Sequence, residues 1–76
     1  AADAGEDVAT VAVSAVEGAV EAAGQFGGNV TEVTKEAILS AVRAADEIGS
    51  EIGQAVRKGL LSAASLPADV VKQVLG

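Results

Sequence analysis

Residues 19–62 are one 22-residue unit followed by a second copy of itself, and no other feature constrains the fold as strongly. The first copy reads AVEAAGQFGGNVTEVTKEAILS (19–40) and the second AVRAADEIGSEIGQAVRKGLLS (41–62). Ala19-Val20 aligns with Ala41-Val42, Phe26-Gly27 with Ile48-Gly49, Lys35 with Arg57, and Ile38-Leu39-Ser40 with Leu60-Leu61-Ser62. A unit of this length is two elevens, and eleven residues fill almost three α-helical turns at about 3.67 residues per turn. A helix with that repeat keeps one face forward along its length, whereas the period has no meaning for a strand. The expected class is all-α.

Steps of four, three and four trace one apolar register through the whole chain. It runs Ala4, Val8, Val11, Ala15, Ala19, Ala22, Phe26, Val30, Val33, Ala37, Ala41, Ala44, Ile48, Ile52, Ala55, Gly59, Ala63, Leu66, Val70, Val74, and no position is polar. The register one residue on is polar only at Thr31 and Thr34, and adds Val16, Val20, Ile38, Val42, Val56, Leu60, Val71 and Leu75. Two adjacent apolar registers make a stripe wider than one partner helix covers, so each helix is expected to have at least two neighbours. The first register is expected to form the packed face, with Phe26, Val30, Val33, Ala37, Ala41, Ala44, Ile48, Ile52, Ala55, Gly59 and Ala63 as its interaction residues. Its small residues, together with Gly49 and Gly53, stand at spacings that allow backbones to approach closely. In period, though not in residues, the repeat resembles those of apolipoprotein-type and desiccation proteins.

Breakers divide the chain. Asp3 and Glu6 suit an N-cap with its box partner, and the helical pattern then runs from about 6 to 25. Gly27-Gly28-Asn29 reads as a turn, with a continuous but weakened helix as the alternative, and Asn29 with Glu32 suits a new N-terminus. A second helix is expected over about 30–64, carrying i,i+3 and i,i+4 charge pairs such as Glu32 with Lys35 and Arg43 with Asp46 and Glu47. Pro67 ends it, with Ser65 and Asp69 suited to a fresh start, and a short helix over about 67–75 closes the chain. The fold expected is an antiparallel helical hairpin or small bundle in one domain, built on the eleven-residue repeat.

Composition narrows the function. Half the residues are hydrophobic, but most are small: seventeen Ala and twelve Val against five Leu, three Ile and one Phe. Such a core yields little burial energy per position, so a chain of this size needs a further staple. Cys and His are both absent, which removes thiolate and imidazole metal sites and leaves association as that staple. The net charge of −6 opposes phosphate backbones, so no nucleic-acid partner is expected. No uncharged run approaches the roughly 18–20 residues of a spanning helix. The first residue is Ala1, an end that methionine removal, leader cleavage or trimming would each leave, and localisation stays open.

Catalytic chemistry finds little to work with. Without His, Cys or Tyr, the nucleophiles left are serines and threonines outside any Gly-x-Ser-x-Gly elbow. The densest acidic cluster, Asp46, Glu47 and Glu51, reads as a solvated helix face, with a divalent-cation site as the minor alternative. Gly24-Gln25-Phe26-Gly27-Gly28 lacks the strand and lysine of a phosphate loop. The expectation is a structural or interaction protein, not an enzyme and without cofactor or metal. It would pack apolar helix faces against itself, its copies or a helical partner. The alternative is a peripheral protein coating a membrane or droplet surface.

Overall fold

The computed structural model describes residues 4–76, and among these the chain is all-α, with no strand. Its elements are α1 (Ala4–Gln25), α2 (Val30–Ile48), α3 (Ser50–Ser62) and α4 (Ala68–Leu75). The expected cap at Asp3 lies outside the described residues. Glu6 and Asp7 occupy the first turn of α1, where carboxylates oppose the positive end of the helix dipole.

Gly27 stops α1. Its φ of 70° is the left-handed conformation that glycine adopts without penalty. The Gly28 amide then donates back to the Ala23 carbonyl at 2.9 Å, the six-to-one bond of a Schellman ending. Asn29 opens α2 directly afterwards, its side-chain oxygen accepting the Glu32 amide at 3.2 Å. The turn expected at 27–29 is therefore present, with Gly27 as its left-handed residue.

The single helix expected over 30–64 is instead two. Gly49 leaves the helix with an extended backbone, φ 172° and ψ 152°, after its amide donates to Ala45 at 3.1 Å. Three glycines, Gly49, Gly53 and Gly59, fall within this stretch, so propensity gives the longer helix little support. Packing decides the outcome: by turning at Gly49, α3 buries its apolar face on α1 and α2. Near the C-terminus, Pro67 precedes α4, and its carbonyl accepts the Val70 and Val71 amides at 3.1 Å each. Ser65 does not cap that helix; its hydroxyl donates to the Glu17 carboxylate across on α1.

These contacts give the helix directions. Ala9 and Val13 lie beside Gly59, and further along Glu17 meets Ser65, so α1 and α3 run parallel. α2 returns between them, and each of the three touches the other two. α4 packs on α2 and α3. Twelve described residues are buried: Ala9, Val16, Ala23, Thr34, Ile38, Val42, Ala45, Gly53, Val56, Leu60, Leu66 and Val71. All except Leu66 belong to the second apolar register, not the first.

The packed face expected along the first register is therefore displaced by one residue, about 100° around each helix. The physical reason is volume. Mid-helix, the second register places Val16, Ile38, Val42, Val56 and Leu60, where the first places Ala15, Ala37, Ala41, Ala55 and Gly59. Each extra buried methylene stabilises by about 0.8 kcal/mol, so the bulkier register turns inward. Ile48 and Ile52, both expected on the packed face, do not share the core equally. Ile48 is 63% exposed, while Ile52 is half-buried at the core's margin. Thr34, the one polar side chain buried among the described residues, donates its hydroxyl to the Val30 carbonyl at 2.6 Å.

Candidate interaction face

Each helix of the packed trio presents three adjoining registers, and their neighbours identify where each one points. On α1, Glu6, Thr10, Val13 and Glu17 share the flank that meets α3. The core register, with Ala9 and Val16, stands next to it. The first apolar register, Val8, Val11, Ala15, Ala19 and Ala22, takes the opposite flank, on the α2 side and away from α3. α2 repeats the arrangement in mirror sense. Asp46 reaches α3, the core register of Thr34, Ile38, Val42 and Ala45 follows, and Val30, Val33, Ala37, Ala41, Ala44 and Ile48 occupy the flank away from α3.

Both flanks border the same outer groove between α1 and α2. Its floor is half-buried at Val8, Ala19, Val30, Val33, Ala37 and Ala41, and its edges are exposed at Val11, Ala15, Ala22, Ala44 and Ile48. Phe26, the only aromatic residue, caps one end at 87% exposure, and Ile48 stands at the other. Every position in this lining is apolar. Of the interaction residues expected from sequence, Phe26, Val30, Val33, Ala37, Ala41, Ala44 and Ile48 are brought together here. The other four, on α3 and its C-cap, are placed elsewhere. Ile52 and Ala63 pack half-buried against the core, Ala55 lines a cleft, and Gly59 faces α1. Val8, Val11, Ala15, Ala19 and Ala22 join the groove from α1; they share the register, but only the fold sets them opposite α2.

Gly59 lies against α1. A Cβ there would stand 3.4 Å from both Ala9 Cβ and Val13 Cγ2, in close contact with α1. Above this contact the helices part to leave an open cleft of about 510 Å³, lined by Glu6, Ala9, Thr10, Ala55, Lys58, Gly59 and Ser62. The Thr10 hydroxyl is already donated to the Glu6 carbonyl at 2.9 Å.

A clasp holds the α2–α3 corner. Arg57 donates from Nη1 and Nη2 to the two Asp46 carboxylate oxygens, at 3.0 and 2.8 Å. In a continuous helix these residues would stand about 16 Å apart along the axis; the turn at Gly49 closes that distance. The pairing expected within α2, Arg43 with Asp46, gives way to this one. Gly53 makes the crossing possible, because a Cβ there would overlap the Asp46 carboxylate. Hydrogen bonding to Asp46 raises the Arg57 pKa above its ordinary value, with desolvation opposing.

Among the described residues, no three carboxylates stand close enough to hold a metal ion, and no helix is long and apolar enough to cross a membrane. No protein-family model, curated protein or solved structure matches the chain.

Proposed function

We propose that the protein is a structural or interaction unit: a small helical bundle on an eleven-residue repeat, with one apolar register for its own core and another for a partner. The observation that carries this reading is the α1–α2 groove. Its lining is apolar from end to end, yet Val11 is 70% exposed, Ile48 63% and Phe26 87%. Folding does not explain those side chains, since the interior closes on the other register. A long apolar surface bordered by polar residues is the usual mark of a docking face. In this reading the chain has no catalytic role, and the outer register serves association while the inner one holds the fold.

The double substitution Val11→Asp with Ile48→Asp tests it. Light scattering should show association with self or partner abolished, while the thermal melt stays within a few degrees of wild type. Association that survives both charges would sink the reading.

A further inference from the structure

The groove has a second property, the sign of its rims. On both helices the register just before the apolar one is exposed along its length. Nearest the groove it carries Asp7 on α1 and Glu36 and Glu47 on α2, while Glu21, Glu32 and the single base Arg43 repeat the Thr10 position and stand further round, toward the α3 flank. The imbalance extends to the helices as wholes. α1 and α2 hold eight acids and two bases, a net −6, whereas α3 and α4 hold two acids and three bases, a net +1. The protein's negative charge is thus concentrated on the two helices that form the groove.

From this we infer the occupant: a basic amphipathic helix supplied by another protein. The inference rests on the interaction reading above and adds the partner's chemistry to it. A helix seated in a groove offers apolar anchors at i, i+3 or i+4, and i+7. Here its flanks would pass between acids on both sides, so Lys or Arg at those flanks meets opposite charge. A second copy of this chain brings the same acidic rims, and like charges facing each other across an interface oppose pairing. An anionic bilayer is repelled for the same reason.

Shape adds to the argument. The 19 residues of α2 give the groove a length of about 28 Å, enough for a partner helix of roughly the same number of residues. Phe26 and Ile48 stand at its two ends, and Ala15, Ala19, Ala37 and Ala41 lie between. The small centre has room for large partner side chains such as Leu or Phe, and the large ends grip its termini.

Two synthetic peptides of about 18 residues provide the test. Both carry the same leucine face; one has lysine on its flanks and the other glutamate. Isothermal titration should show the lysine peptide binding at least tenfold tighter, with the affinity falling as salt rises. Val11→Asp with Ile48→Asp should abolish that binding even though it makes the protein more acidic, which separates seating in the groove from general charge attraction. Glu36→Lys with Glu47→Lys should shift the preference toward the glutamate peptide. Equal affinity for the two peptides overturns the inference, as does lysine-peptide binding that survives the aspartates. A dimer seen by light scattering, dispersed by Ile48→Asp and blocking the peptide, overturns the basic partner but leaves the interaction reading standing. Co-sedimentation with phosphatidylcholine vesicles, lost in the same variant, overturns both. So does a free protein that binds nothing and is indifferent to the aspartates.

Discussion

Ile38 and Ile48 lie on the same helix, ten residues apart, and differ by one register. Ile38 is fully buried, whereas Ile48 is 63% exposed. Truncating each to alanine removes the same three carbons, so the difference in cost measures how the fold has assigned the registers. For Ile38→Ala the transfer term alone is about 2.4 kcal/mol, at about 0.8 per methylene. The cavity left behind brings the total to roughly 2–5 kcal/mol. For Ile48→Ala, about a third of that transfer term applies, near 0.8 kcal/mol. Alanine's higher helix propensity returns a few tenths of a kcal/mol. The net cost should fall below about 0.5 kcal/mol.

In a domain of this size each kcal/mol shifts the melting temperature by roughly 4–8 °C. Ile38→Ala should therefore lower it by more than about 10 °C and Ile48→Ala by no more than a few degrees, both read by circular dichroism at dilute protein. Total stability scales to only about 4–11 kcal/mol, so Ile38→Ala can leave too little folded protein to measure. Ile38→Val, at about 0.5–1.5 kcal/mol, supplies the graded alternative. Equal shifts for the two alanines would refute the register assignment. A larger loss at Ile48 than at Ile38 would restore the first register as the core.

Three further outcomes follow from the glycines and the clasp. Gly18→Ala, in the interior of α1 with open space around it, should stabilise the protein by roughly 0.5–1 kcal/mol in a denaturant titration; no gain would argue against that helix. Gly27→Ala should destabilise by about 1–2 kcal/mol, because its left-handed φ disfavours any Cβ, and an unchanged midpoint would contradict the turn. Gly53→Ala should displace the Asp46 carboxylate from Arg57, so that Asp46→Asn, measurable in wild type, has no further effect in the alanine background. A coupling that survives the alanine would show that the carboxylate finds another path.

Much of the fold was legible in the repeat, and the limits are instructive. An eleven-residue period excludes strands, and Gly27-Gly28-Asn29 supplies both a left-handed stop and a cap, so the class and first turn could be read directly. The inward register could not be read by polarity, since both candidates are almost wholly apolar. It could be read by volume: Ile38, Val42, Val56 and Leu60 stand where the other register has Ala37, Ala41, Ala55 and Gly59. The break at Gly49 had a weaker signal. Its backbone is extended and its surroundings are open, so nothing local demands glycine there. The corner is set by tertiary gains, the burial of Val56 and Leu60 and the Asp46–Arg57 clasp, which no reading of one helix contains.

The groove was legible only in part, because its two walls come from segments that the fold sets antiparallel. Its composition can nevertheless be separated from the needs of folding. Val11, Phe26 and Ile48 contribute little to the interior, and polar residues there would cost the isolated fold little while improving its solubility. Apolar side chains at such positions need a reason outside the chain's own core. The acids beside them point the same way. In the proposed reading, they give an exposed apolar groove a negative field that opposes pairing of identical copies and favours a helix of opposite charge. In the same reading, the chain carries two separable properties, an inward register that sets stability and an outward one that sets association. The Ile38 and Ile48 substitutions probe them one at a time: Ile38→Ala should move the melt, whereas Ile48→Ala should move partner affinity and leave the melt almost where it was.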